Sequence, residues 1–313
     1  MASRENIPAV VTPLVYLSNG SGLGNRLRAL LGYWAMSRCL GSPFYLCWLP
    51  NEACDAEFHD LFAPPPFPVI DLGVLRKMAS RQKVHVYSAN PWCDVIWRSQ
   101  ASPSVDWDRF MAAVRQCRRE LRFQRPMVAA AERYSAARDC PARIGIHIRH
   151  TDNLAKYRDW SVRSAGRFSP RLVSSPAGFF REMDRLVRRH RLFVSTDSAG
   201  MAREVRRRYG DRVAFYPKRF RRLPRSSRPR RSTTVKAAVT EMLLLGKCRT
   251  IVGTYYSSFS KMSAILGQRP YREIQGNRSV ANPRFTTGTG LLRVTSFHDR
   301  RDRRASANRA AIR

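Results

Sequence analysis

The chain has 313 residues, 43% of them hydrophobic, which is enough to build the cores of two ordinary domains and excludes a disordered basic protein. Its formal charge is +34, yet only seven of the 57 basic residues are lysine, so a bias towards arginine codons accounts for much of it; the charge implies non-specific, salt-sensitive polyanion binding and identifies no partner. The seven cysteines, at 39, 47, 54, 93, 117, 140 and 248, form no CxxC pair and no zinc spacing, so buried, reduced thiols are expected.

In chain order, Ala9–Leu17 reads as a strand that breaks at the glycine-rich run Ser18–Gly24. A helix follows over Asn25–Leu40, with Leu27, Leu30, Leu31, Trp34 and Leu40 at near-helical spacing. Pro43–Leu49 reads as a second strand, parallel to the first. Strand, glycine-rich turn and helix open a nucleotide-binding α/β unit, in which a helix N-terminus offers free N–H groups to an anion. Gly20, Gly22 and Gly24 make no dinucleotide fingerprint, and no Gly-Lys-Ser/Thr follows, which excludes a P-loop. Residues 50–140 are less legible; Ala63–Pro68 is a loop, Val84–Tyr87 a candidate strand, and Trp107–Arg122 and Pro126–Ala137 read as helices that complete the first domain.

A second α/β series starts at Ile144–Ile148. Ile144, Ile146 and Ile148 share one face of a strand, Gly145, His147 and Arg149 the other, and the strand runs into Arg149, His150, Thr151, Asp152 and Asn153. In open α/β sheets ligands bind beyond the carboxyl ends of the strands, where a planar guanidinium suits paired phosphate oxygens. An ion pair between Arg149 and Asp152 is the plain alternative, and the residues alone leave both readings standing.

Helix 177–190, strand 191–195, helix 200–209 and strand 212–216 continue the series. Lys218–Arg231 is a basic, proline-broken run read as a mobile loop. Helix 234–246, strand 250–253 and helix 257–266 close the series, and Phe297–Arg313 reads as a disordered basic tail. Ser195-Thr-Asp-Ser198 and Gly253–Ser260 also end strands; for either motif by itself a helix N-cap, at Asp197 or Ser198 and at Ser257 or Ser258, is the plainer reading, and an anion contact is the alternative that three such strand ends in one series favour. No run approaches the ~20 apolar residues of a membrane span, and the N-terminus carries no signal-peptide core, so a cytoplasmic or other soluble intracellular protein is expected.

Taken in order, Asn19–Leu30, His147–Asp152, Ser195–Ser198 and Val252–Ser260 resemble the motifs of the GDP-fucose-dependent α1,6- and protein O-fucosyltransferase superfamily. The His-x-Arg-His form and the Gly-Leu-Gly-Asn-Arg-Leu-Arg-Ala-Leu run are most similar to the bacterial nodulation fucosyltransferases. The resemblance implies an α/β, GT-B-like fold of two Rossmann-like domains facing across a cleft. It divides the chain into residues 1–140 on the acceptor side with the loop 18–26, residues 141–296 binding the GDP-sugar with the basic loop 218–231, and the tail 297–313.

The activity implied is transfer of a sugar, fucose above all, from GDP-fucose to a glycan, glycolipid-like or protein acceptor, with inversion, no metal and no cofactor beyond the donor. Another GDP-sugar as donor, or a nucleotide- or nucleic-acid-binding protein that has kept the fold without turnover, are the alternatives. By resemblance, Arg149 contacts the diphosphate, His147 borders the guanine and Glu241 reads its edge. Ser257 and Ser258 touch phosphate, and Asn25 and Arg26 come from the glycine-rich loop with Gly24. Catalytic candidates are Arg149, Asn25 and Asp159; Gly24, Arg26, His147, His150, Asp152, Asp197, Glu241, Ser257 and Ser258 are donor-binding candidates. The chain departs from the mammalian-type pattern, which has a second arginine where His150 stands and a glutamate base where Lys156–Asp159 runs; Asp152 and Asp159 are base candidates by proximity.

Overall fold

The computed structural model describes residues 12–91, 93–100, 105–149, 173–221, 232–255 and 257–281. They fall into two compact units, one of residues up to Asn51 with Ala56–Phe123, the other of Glu52–Asp55 with the chain from Gln124 onward.

The first unit contains β1 (Leu14–Ser18), α1 (Leu23–Leu40), β2 (Phe44–Trp48), α2 (Phe58–Leu61), β3 (Val69–Ile70), α3 (Leu72–Arg81), β4 (His85–Tyr87), α4 (Cys93–Gln100) and α5 (Trp107–Glu120). Its sheet has the order β3-β2-β1-β4, all parallel, with Leu14 opposite Phe44 and Ser18 opposite Trp48. The expected βαβ opening is therefore present. Helix α1 is buried nearly all round because it packs on the sheet and also on α4 and α5. Leu27, Leu30, Leu31 and Trp34 are inside, each buried leucine contributing about 2 kcal/mol. Leu40 is 38% exposed, against expectation, because the helix ends there. Gly41 takes φ +66°, its N–H reaches Arg38 O, and Ser42 N–H reaches Ser37 O at 2.9 Å, a Schellman-type stop. On the opposite face Val15, Cys47 and Leu75 form a smaller core with Ile70 and Leu72.

The second unit contains α6 (Arg125–Arg138), β5 (Ile144–Ile148), α7 (Pro176–Val187), β6 (Leu192–Thr196), α8 (Ala199–Tyr209), β7 (Val213–Ala214), α9 (Val235–Lys247), β8 (Thr250–Thr254), α10 (Ser258–Gly267), β9 (Tyr271–Gln275) and β10 (Arg278–Ala281). The sheet order is β10-β9-β8-β5-β6-β7, parallel except for the β9–β10 hairpin. The chain starts at the centre with β5, winds outward through β6 and β7, then returns to the other side of β5 as β8 and β9. The direction of winding reverses between β5 and β8, the position at which doubly wound sheets bind ligands.

All five residues of β5 are buried, as a central parallel strand covered on both faces requires. Ile144, Ile146 and Ile148 join Phe179, Met183 and Val205 from α7 and α8. The other face meets α9 and α10: a Cβ on Gly145 would stand 3.0 Å from Leu245 Cδ2, so a larger residue there would push on α9.

Helix α6 was expected in a first domain ending at 140, but the division falls between Phe123 and Gln124. Helix α6 packs on α9, and Tyr134 lies edge-on to Phe193 at 6.0 Å and to Tyr216 at 5.5 Å. Helices α2, α3 and α4 and strands β3, β9 and β10 were not foreseen; β3 has two residues, too few for a periodic signal, and β9 and β10 carry no regular alternation of apolar and polar residues. The tail 297–313 lies outside the described residues. All seven cysteines are buried, and none of these described residues is in a disulfide. Among the described residues no helix is long and apolar enough to cross a membrane.

Candidate functional site

The candidate site of the second unit is built where β5 and β8 end. Their ladder closes with His147 opposite Gly253, one residue short of the strand ends. Thr254 then takes over: its Oγ1 donates to His147 O at 3.0 Å and accepts the Arg149 backbone N–H at 2.9 Å. One fully buried hydroxyl thus sets the start of the loop that carries Arg149, whose side chain is half-buried.

Beyond Thr254 the chain turns at once into α10. Ser257 N–H reaches Thr254 O at 3.0 Å, and Tyr255 N–H donates to Ser174 Oγ at 2.8 Å, while that hydroxyl donates to Ile274 O. Ser257 occupies the N-cap position of α10 but makes no side-chain cap bond. Its hydroxyl is buried and has no hydrogen-bond partner among the described residues. A buried hydroxyl left in this state at a helix N-terminus suits an anion's oxygen, since the first amides of a helix have no intrahelical partner. Ser258, the first residue of the helix, is buried beside it.

His147 is held from behind by ring stacking on Phe259, with centroids 4.8 Å apart. The packing under the site is tight. A Cβ on Gly253 would collide with Ser260 Oγ and lie 2.6 Å from the Tyr271 hydroxyl. Those two hydroxyls stand 3.2 Å apart, and burial holds the Tyr271 phenol well above its ordinary pKa.

The next strand end carries the second cluster. Ile148 pairs with Thr196, the last residue of β6. Ser198 caps α8, accepting Met201 N–H at 3.2 Å, so of the two capping alternatives it is Ser198 that caps. Asp197 is half-buried, and its carbonyl accepts from Ser232 Oγ. Glu241, from α9, is 3% exposed, and its Oε2 receives Lys218 Nζ at 2.6 Å. The same ammonium donates to Thr196 O at 2.6 Å. The Lys218 side chain is thus buried at the start of the run 218–231, Arg221 N–H reaches Ser232 O at 2.7 Å, and residues 222–231 lie outside the described residues.

In the first unit, Gly24, Asn25 and Arg26 lie in the first turn of α1. Arg26 was expected to reach a donor but is sealed from solvent. Its guanidinium donates to Ser18 O at 2.9 Å, Ser21 O at 3.1 Å and Leu49 O at 2.7 Å, and it lies 4.7 Å from the centre of the Trp48 ring. Its part is to shape the glycine-rich loop. The left-handed residue of that loop is Ser21, at φ 68°, and none of its glycines. Asn25 is half-buried and Gly24 buried.

The structure thus gathers His147, Arg149, Ser257 and Ser258 around Thr254, and sets Asp197 and Glu241 at the neighbouring strand end around Lys218. His150, Asp152 and Asp159 lie outside the described residues. Thr254, Ser174 and Lys218 were missed as site residues. Lys218 did carry a signal, being the one lysine in a run otherwise basic through arginine, and a compact ammonium with three rotatable donors suits a buried position.

No protein-family model matches the chain, and no curated protein sequence matches it. Solved structures do. The fucosyltransferase NodZ from Bradyrhizobium is 16% identical and superposes with a TM-score of 0.54 over 87% of this chain and 99% of that one. NodZ alpha-1,6-fucosyltransferase soaked with GDP-fucose gives 18% and 0.53 over 87% of this chain and 100% of that one. POFUT1 in complex with GDP gives 13% and 0.51 over 84% of this chain and 98% of that one. At such identities the likeness is one of fold, and it extends over nearly the whole length of each of these structures. The chain has the α/β, GT-B-like fold of the GDP-fucose fucosyltransferase type.

Proposed function

We propose that the protein is a glycosyltransferase that takes fucose from GDP-fucose and passes it, with inversion and without a metal, to a hydroxyl of a glycan or glycoconjugate acceptor. The observation that carries this reading is the switch point of the second sheet, where Arg149 and a buried, unbonded Ser257 hydroxyl at the α10 N-terminus are held together through Thr254. The structures of similar fold that contain GDP-fucose or GDP support the donor class.

The chemistry follows from charge. Breaking the bond from the sugar's anomeric carbon to the β-phosphate oxygen leaves negative charge on GDP. Arg149, the Ser257 hydroxyl and the α10 amides are donors fixed in advance where that charge develops, which is where electrostatic stabilisation acts most strongly. The acceptor hydroxyl attacks the opposite face of the anomeric carbon and gives its proton to a carboxylate, for which Asp152 and Asp159 are the candidates. Asn25 and Gly24 of the glycine-rich loop are the further candidates, Asn25 as a catalytic and Gly24 as a donor-binding residue.

Thermal unfolding at moderately high salt with GDP, GDP-fucose, GDP-mannose, UDP and ADP tests the donor site, since the salt suppresses adhesion due to net charge. At a ligand concentration of about 100 times Kd the native state gains about 2.7 kcal/mol, and the reading requires that gain for guanine nucleotides alone. An equal rise with UDP or ADP, or none with GDP, removes it. Arg149→Ala is expected to abolish the rise, and transfer is then assayed with GDP-fucose against an acceptor panel.

A further inference from the structure

The amino ends of the second sheet's strands, opposite the candidate site, are edged with arginine. Arg143, Arg191, Arg212 and Arg249 immediately precede β5, β6, β7 and β8. The pairing of Ile144 with Leu192 and Thr250, and of Leu192 with Val213, puts these four in one register row. Arg269 joins the row when the Ile251–Tyr271 pairing is continued back. Five adjacent strands at a spacing of about 4.8 Å make that row about 19 Å long.

Part of the row serves the fold. Helices α6, α7 and α9 end at this level, where their last carbonyls carry partial negative charge. Arg143 donates to Arg138 O and, at 3.2 Å, to Leu192 O; Arg212 donates to Val187 O at 2.6 Å and Arg269 to Gly246 O at 3.1 Å. Arg191 and Arg249 are exposed, as are Arg138, Arg188 and Arg189 where α6 and α7 end. The side chains of these five make no hydrogen bond or ion pair among the described residues. The carboxylates beside them in the chain, Asp139 and Asp211, are fewer than the cations. Elsewhere on α7 and α8 arginine is matched by acid, Arg185 by Glu182, Arg207 by Glu204 and Arg208 by Asp184. A bias towards arginine codons adds cations but does not decide where the acids stand.

Guanidinium groups set out at one level suit a plane of anionic groups. Nucleic acid fits less well: His190, the ring among these residues, is half-buried and poorly placed to stack on a base, and α6, α7 and α9 reach this level by their ends, so none of them lies across it to enter a groove. We infer that this face of the second unit docks on an anionic lipid surface through Arg138, Arg188, Arg189, Arg191 and Arg249. The carboxyl ends of the strands, with the candidate site, then face away from the lipid and take the donor from solution. The inference does not depend on which nucleotide that site takes.

The test is flotation of the full chain with vesicles of phosphatidylcholine alone and of equal parts phosphatidylcholine and phosphatidylserine. Salt is held at about 0.15 M, where exposed charges further apart than about 8 Å are largely screened from each other. Wild type is expected to float with the mixed vesicles and not with phosphatidylcholine alone. Arg188→Gln/Arg189→Gln/Arg191→Gln should lower the partition coefficient about 100-fold, at about fivefold for each arginine taken from an anionic surface. Arg76→Gln/Lys77→Gln/Arg81→Gln takes the same charge from α3 of the first unit and, through screening, should lower it less than about threefold. All six substituted residues are exposed, and equal melting temperatures check that both variants fold. Equal losses in the two variants trace binding to diffuse net charge and overturn the inference, as does wild type that floats with neither kind of vesicle or equally with both. Tighter binding to a single-stranded or duplex oligonucleotide, weakened more than vesicle binding by the first variant, also overturns it and identifies a nucleic-acid face. GDP binding is expected to be the same in all three proteins, so the donor site stands or falls separately.

Discussion

Thr254 Oγ1 accepts the backbone N–H of Arg149 at 2.9 Å, a contact between residues far apart in sequence that starts the Arg149 loop one residue past the β5–β8 ladder. Because the same hydroxyl donates to His147 O, Thr254→Val removes both bonds while nearly keeping the volume. It leaves a buried carbonyl without its donor, and a loss of about 2 kcal/mol is expected in urea unfolding. Thr254→Ser keeps the hydroxyl and should lose less than about 1 kcal/mol. If the Thr254 bridge sets the Arg149 loop, Thr254→Val also weakens GDP binding by more than its stability loss explains, and calorimetry reads that directly.

Gly253 has no room for a side chain. Its missing Cβ is replaced in space by Ser260 Oγ and the Tyr271 hydroxyl, both within a buried cluster. Gly253→Ala is expected to cost about 2–3 kcal/mol by overpacking. Combining it with Ser260→Gly should recover only part of that loss, because the tyrosine oxygen remains 2.6 Å from the new methyl. The four melting temperatures check this.

Ser21 is the residue of the glycine-rich loop with positive φ, at 68°. A non-glycine residue held there is strained by about 1 kcal/mol. Ser21→Gly should therefore raise stability by about 0.5–1 kcal/mol, although it adds a third consecutive glycine and some freedom to the unfolded chain. A fall in melting temperature would show that the unfolded chain's gain in entropy outweighs the relief.

Arg38 and Glu120 form a two-bond bridge between α1 and α5, and the hydrogen bonds from Arg38 hold the Glu120 carboxyl below its ordinary pKa. A carboxyl whose folded pKa is lowered contributes stability that is present above the ordinary carboxylate range and is lost as pH falls through the folded pKa. The two side chains are 29% and 32% exposed, so solvent screening limits the contribution to about 1 kcal/mol. Glu120→Gln should cost that amount near pH 7 and progressively less as pH falls below the ordinary carboxylate range, and unfolding curves over that range give the comparison.

The periodicity of β5 was legible in sequence because a strand with isoleucine at every second position, closed by arginine, has one plausible placement. The same holds for α1 and α9, whose apolar content is dense and whose ends are marked by a glycine and by Thr234, the N-cap that accepts Ala237 N–H. The ordered motifs likewise pointed to the donor class. Local pattern did not reveal the assignment of α6 to the second unit, since an amphipathic helix states that it has a buried face and not which sheet covers it.

The site divides the same way. Position after apolar strands drew attention to Arg149 and Ser257 without deciding between anion contact and an ion pair or helix cap, and the roles of His147 and Glu241 came only from the resemblance of the ordered motifs. What Arg26 does depended on tertiary structure: only the approach of Leu49 O and Ser18 O to α1 turns a candidate ligand contact into a strut. Thr254 and Lys218 depended on it too, as each acts through groups brought near by parallel pairing across the sheet or by helix packing. Sequence by itself determined the elements, the strand ends and the residue chemistry placed there, because these follow from neighbours along the chain. Tertiary structure decided which of those residues are brought together and which hold another in place, because that is settled by contacts between residues tens of positions apart.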